Sequence, residues 1–157
     1  MRYILLVSHG EFAPGLHKAI EMLAGSDRED LLSTSLKNGM GADEFADNVR
    51  EILKNLTDED EIALFADIVG GSPLTTAANV IAEMGLLGRT VMVGGMNLPL
   101  VLTGVLSKDD MSFDEIRTEI LGDAAEGLKE FSVAAEADGY CFKVPGLKYR
   151  MPLSSLK

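Results

Sequence analysis

Two residues in this chain have the types and the setting needed for group-transfer chemistry. His9 follows the apolar run Tyr3-Ile4-Leu5-Leu6-Val7, and Asp67 ends the apolar run Ile62-Ala63-Leu64-Phe65-Ala66. A neutral imidazole is a competent nucleophile near pH 7, because its ordinary pKa is about 6.5. A carboxylate bound to one ring nitrogen fixes the tautomer and frees the other nitrogen for attack. A carboxylate that ends an apolar strand also needs a partner or water. Gly10 opens the loop after His9, and Gly70-Gly71-Ser72-Pro73 follows Asp67. A helix starting there, with Ser72 as N-cap and Pro73 as its first helical residue, offers backbone N–H groups to a phosphate without any Lys or Arg. On residue types alone a second reading stays open: a histidine at a strand end is often a solvated loop residue, and Gly-Gly-Ser-Pro is often just a turn and a cap. His17 lies beside Leu16 with Glu21 four residues on, and reads as the flank of a helix.

The elements that must position these residues alternate. Strands are expected at 3–7, 31–36, 61–67 and 90–93. Helices are expected after Pro14-Gly15 (Leu16, Ala19, Ile20, Leu23), over 42–56, from Ser72 to Gly85 and from near Pro99. A last long helix begins at the capping box Ser112/Glu115 and carries Phe113, Ile116, Ile120, Leu121, Ala124 and Leu128 as one stripe. The order βαβαβαβα implies an α/β fold: a single-domain, doubly wound sheet of four parallel strands with helices on both faces. In strand order 2-1-3-4, strands one and three are neighbours at the switch point, where such folds place their ligands. His9 and Asp67 would then meet. Tyr140–Val144 is expected to add a C-terminal antiparallel edge strand, ended by Pro145 and Gly146. Residues 1–135 are read as the main domain and 136–157 as the edge strand and tail of the same domain.

Composition narrows the chemistry. The 157 residues carry 14 Lys+Arg against 25 Asp+Glu, a net charge of −11 that repels nucleic acid and anionic lipid. The run Leu98–Leu106 is broken by Pro99, Thr103 and Gly104 and is too short to span a bilayer, so no direct membrane insertion is expected. No export signal is visible, and the lone Cys141 suits a reducing cytoplasm. Two histidines and one distant cysteine make a poor metal set, so no metal is expected. With neither G-x-G-x-x-G after strand one nor G-x-x-x-x-G-K-[ST], no nucleotide cofactor is expected either.

Three motifs stand at the ends of the right strands, in order: Val7-Ser8-His9-Gly10-Glu11-Phe12-Ala13, Asp67-Ile68-Val69-Gly70-Gly71-Ser72-Pro73 and Gly95-Met96-Asn97-Leu98-Pro99. Together they resemble the IIA components of the mannose-family (mannose/fructose/sorbose) sugar phosphotransferase system, over roughly residues 1–130. The resemblance implies a cytoplasmic phosphocarrier without cofactor. His9 would take a phosphoryl group from phospho-HPr and pass it to a IIB subunit, which serves the IIC and IID membrane subunits. Asp67 would hold Nδ1 and leave Nε2 for phosphate. Gly10, Glu11, Phe12, Gly70, Gly71, Ser72, Met96 and Asn97 would line the phosphate and partner site, with Phe12 and Met96 either an apolar docking patch or core. It also implies a homodimer, formed in some members by exchange of a C-terminal strand.

Departures from the commonest pattern are Leu74-Thr75 for Phe-Asn and Gly95-Met96-Asn97 for Gly-Val-Asn. With no Ala/Pro-rich linker to a IIB domain, the acceptor is expected on a separate polypeptide. Two other readings compete: a IIA-like phosphoryl donor of a dihydroxyacetone kinase system, and a non-catalytic anion- or flavin-binding module of similar shape. A histidine-phosphatase reading fails, because no Arg precedes His9 and no second histidine closes a site.

Overall fold

A computed structural model describes residues 1–130 with their side chains, and the backbone of 132–136, 139–144 and 147–151. The chain divides into two compact units, Met1–Ala125 and Glu126–Lys157.

In the first unit, β1 (Arg2–His9), β2 (Leu31–Leu36), β3 (Glu61–Ala66) and β4 (Thr90–Gly94) form a parallel sheet in the order β2-β1-β3-β4. The expected α/β architecture and strand order are therefore those of the molecule. The two central strands are continuous apolar runs because helices cover both of their faces. On one face, Ile4, Leu6, Ala63, Phe65, Val91 and Val93 pack against α1 (Phe12–Ala24), α4 (Leu98–Ser107) and α5 (Phe113–Glu126). On the other, Leu5, Val7, Ile62, Leu64 and Ala66 pack against α2 (Ala42–Leu53) and α3 (Ser72–Glu83). Ile4 through Val7 are wholly buried.

Several boundaries differ from expectation, each for a physical reason. Helix α1 begins at Phe12, ahead of Pro14-Gly15. Proline costs nothing in a first turn, where its missing N–H would have no helical partner, and the wholly buried Ser8 accepts a hydrogen bond from Ala13 N–H at 2.7 Å to start the helix. In α3 the cap is Gly71 and Ser72 is the first helical residue, with no side-chain capping bond. The Ser112/Glu115 box is formed: Glu115 accepts from Ser112 N–H at 2.8 Å, and Ser112 Oγ accepts from Glu115 N–H at 3.3 Å. Ile116 and Ile120 of α5 are buried as expected, but Leu121 and Leu128 are exposed. The helix ends at Glu126, so Leu128 lies past the stripe.

In the second unit β5 (Ser132–Glu136), β6 (Gly139–Val144) and β7 (Leu147–Met151) form an antiparallel sheet in the order β5-β6-β7. Here the edge-strand expectation is corrected. Tyr140–Val144 is extended, but it is a middle strand paired on both sides, by β5 and by β7, and not an edge added to the parallel sheet. Leu147–Met151 pairs along the hydrogen-bonding side of this strand that β5 leaves open. By register Tyr140, Phe142 and Val144 stand opposite Met151, Tyr149 and Leu147.

Candidate functional site

The site lies at the carboxyl ends of β1 and β3, where the sheet order reverses. Val7 pairs with Ala66, and Asp67, the first residue past β3, donates its N–H to the Val7 carbonyl at 3.3 Å. This register brings Asp67 to His9. Asp67 Oδ2 lies 2.9 Å from His9 Nδ1 and also accepts the His9 backbone N–H at 2.8 Å; Oδ1 accepts Ile68 N–H at 2.9 Å. Burial favours the neutral carboxyl, yet the His9 N–H, the His9 ring, its charge and the Ile68 N–H together outweigh it and hold Asp67 below the usual carboxylate range. Asp67 is thus an anion at neutral pH, and the ring nitrogen facing it is the one that carries the proton. In the neutral imidazole this leaves the lone pair on Nε2, which among the described residues makes no hydrogen bond. The Asp67 side chain is 13% exposed and that of His9 45%. The pair is anchored on the carboxylate side and open on the imidazole side.

The loop after Asp67 passes under the ring. Gly70 takes φ +73°, which L side chains rarely adopt, and Gly71 lies so close that a Cβ there would stand 3.2 Å from His9 Cε1. The capping position of α3 is therefore kept bare against the imidazole. With Gly71 in place of Ser72 at the cap there is a chemical consequence: no capping side chain accepts from the first turn, and among the described residues Ser72 and Leu74 N–H find no acceptor. Orphan donors at a helix start are an anion site.

The other candidates divide. Gly10 has φ +56° and donates to the Leu36 carbonyl at 3.0 Å, fastening the His9 loop to β2. Glu11 is exposed at the cap of α1, and Phe12 is exposed beside it. Met96 is buried in the core, so of the two readings offered for it packing is the one seen. Asn97 is spent on the fold: its Oδ1 accepts Leu100 N–H at 2.9 Å to cap α4, and its Nδ2 donates to the Ala124 carbonyl at 3.1 Å. Exposed apolar surface at this edge comes instead from Phe12, Ile68, Val69 and Leu98. His17 is held away, 2.9 Å from Ser33 Oγ and 3.6 Å from Glu21.

Three features escaped sequence reasoning. The Ser8 capping bond was signalled only by a small polar residue closing a buried strand. Gly94 lets the Asp67–Gly71 loop cross β4: a Cβ there would meet Val69 N and Cα at 2.8 Å. A cavity of about 340 Å³ beside His9 is lined by Gly10, Leu36, Lys37, Asn38, Gly39 and Met40, residues that only the β1–β2 pairing brings together.

Residues 3–121 match the family described as PTS system fructose IIA component, the IIA component of the mannose/fructose/sorbose class. The chain belongs to this family. The fructose-specific IIA component of the phosphotransferase system of Bacillus subtilis is 26% identical over 133 residues, 85% of this chain and 86% of that protein. Among solved structures, a IIA protein associated with the fucose utilization operon of Streptococcus pneumoniae is 29% identical, with TM-score 0.69 over 82% of this chain and 92% of that one. The mannose/sorbose-specific IIA subunit of Enterococcus faecalis superposes with TM-score 0.74 over 87% of this chain and 98% of that one, and at 19% identity it speaks for the fold alone. This IIA component of a sugar phosphotransferase system thus carries its paired histidine and aspartate at the family fold's switch point. No helix among the described residues is long and apolar enough to cross a membrane.

Proposed function

We propose that this IIA component is a cytoplasmic histidine phosphocarrier, accepting a phosphoryl group from phospho-HPr on His9 Nε2 and passing it to a IIB subunit. That subunit would serve sugar entry through IIC and IID. The observation that carries the reading is the 2.9 Å contact between His9 Nδ1 and an ionised Asp67. With Nδ1–H held, the Nε2 lone pair forms the new P–N bond while the donor's P–N bond breaks and returns its electron pair to the donor nitrogen. No proton moves at His9. The ring becomes cationic as it gains the phosphoryl group, and the Asp67 carboxylate offsets that charge. Ser72 and Leu74 N–H at the start of α3 supply fixed donors for phosphoryl oxygens, the kind of preorganised stabilisation on which phosphoryl transfer depends. Gly10, Gly70 and Gly71 keep the approach clear. Glu11 and the exposed Phe12, Ile68 and Val69 offer a surface for two successive partners.

A homodimer is part of the same proposal. The apolar cross-strand pairs of β6 and β7 supply a segment suited to contact with a second copy, by strand exchange or by packing. Residues 1–135 form the phosphocarrier domain in this reading, with 136–157 its appendage. The relatives' descriptions name fructose, fucose and mannose/sorbose, which fits a carrier whose sugar is chosen by the membrane subunits.

Incubation with phosphoenolpyruvate, enzyme I and HPr tests the core of this reading. Acid-labile label is expected on the wild type and on His17→Ala, and none on His9→Ala. Label that persists without His9 would remove the proposed acceptor.

A further inference from the structure

The charge around His9 is one-sided. Asp67 binds its ring, Glu11 stands two residues on, and the molecule carries −11. A phosphoryl group on Nε2 carries about two negative charges on its oxygens, against a single positive charge on the ring. Of the cations among the described residues, most are spent: Arg2, Arg28, Arg50, Lys54, Arg89, Lys108, Arg117 and Lys129 each have a carboxylate partner. Lys18 and Lys37 have none among these residues, and only Lys37 lines the His9 cavity.

Its position is built. His9 is the register partner of Leu36 on β2, so Lys37 follows one step beyond and lies alongside Gly10, across strands about 4.8 Å apart. The Leu36 carbonyl accepts Gly10 N–H, and a turn over Lys37–Met40 closes with Met40 N–H donating to the Lys37 carbonyl at 3.0 Å, Gly39 taking φ +83°. Lys37 is exposed and also borders the adjoining groove with Glu44, but the two form no ion pair. Lys37 and His9 line the same cavity, and a lysine stem is long enough to span one strand spacing.

We propose that Lys37 is a phosphoryl-contacting residue of this site, its ammonium neutralising the phosphoryl group on His9 during transfer and in the phosphoprotein. The proposal rests on the phosphocarrier reading and adds the one cationic partner that the backbone donors of α3 lack. Lys37 takes no part in bond making: the donor's P–N bond breaks, the Nε2–P bond forms, and the lysine keeps its proton throughout.

The test measures rate and equilibrium of phosphoryl exchange with HPr for the wild type, Lys37→Ala, Lys37→Glu and Lys37→Arg, at low salt and at high salt. A cation about 6 Å from a dianion in a water-like medium corresponds to about tenfold. Lys37→Ala is therefore expected to lower both rate and phosphoprotein fraction about tenfold at low salt and Lys37→Glu about a hundredfold, while Lys37→Arg stays near wild type. The deficits should shrink towards about twofold at high salt, because the screening length falls to a few ångström. Unchanged values in Lys37→Glu, an Arg variant as impaired as the Ala variant, or deficits indifferent to salt would each overturn the role of Lys37 while leaving His9 labelling intact. A wild type that takes no label would overturn the underlying reading itself.

Discussion

At the scale of single residues, the site depends on a carboxylate whose charge is maintained against burial. Asp67 is mostly covered, which by itself would raise its pKa, and its three hydrogen bonds reverse that. The folded carboxyl therefore titrates below its ordinary value of 3.8. Its contribution to stability is complete above that value and is lost as pH falls through the lower folded value. Asp67→Asn should lack this acid-limb loss in urea unfolding followed from neutral pH down to pH 2. At neutral pH it should keep the fold but slow phosphoryl transfer about tenfold, because a neutral amide neither fixes the tautomer as firmly nor offsets a cationic ring. An unchanged rate would take Asp67 out of the mechanism. Gly71→Ala probes the other side of the ring. Its backbone, near φ −67°, accepts any residue, so the melting temperature should hardly move. The new methyl, 3.2 Å from His9 Cε1, should cut the transfer rate several-fold.

At the scale of elements, what brings the pair together is the sequence of strand ends and helix starts. The Asp67–Gly71 loop rests directly on the end of β4 at Gly94, where the backbones approach too closely for any side chain. Gly94→Ala should force this loop away, destabilising the protein by about 1–3 kcal/mol in urea unfolding, and should slow transfer as Asp67 shifts. Asn97 distinguishes a structural from a ligand-binding role within the third motif. Loss of its cap on α4 and its bond to α5 should cost Asn97→Ala about 1–2 kcal/mol, with His9 labelling unaffected. A loss of labelling without destabilisation would return Asn97 to the binding surface. Most of this layer is legible in the chain: the strands are apolar runs, and Ser112/Glu115 and Pro99 mark helix starts by local chemistry. The starts of α1 and α3 were less so, since Ser8 caps from the strand before and Gly71 caps by having no side chain to obstruct.

At the scale of the whole molecule, Met1–Ala125 is a compact unit of its own, and among the described residues both hydrophobic clusters lie within it. A chain ending at residue 130 should therefore keep the circular dichroism of the αβ body and accept phosphate on His9 as the full chain does. Altered sedimentation of the shortened chain would link the β5-β6-β7 segment to dimer formation. The three motifs and the βαβ alternation were enough to anticipate the family, the sheet order and the meeting of His9 with Asp67, because alternation, parallel pairing and the switch point follow from local patterns with few topological choices. They were not enough for the Tyr140–Val144 strand, whose alternating pattern says that it pairs but not with what, nor for Met96 and Asn97, whose types suit a binding surface equally well. Nor could they place Lys37 beside His9, twenty-eight residues away along the chain. Partner choice, burial and cross-strand proximity are properties of the assembled sheet, where the neighbour is set by register and packing and not by sequence distance.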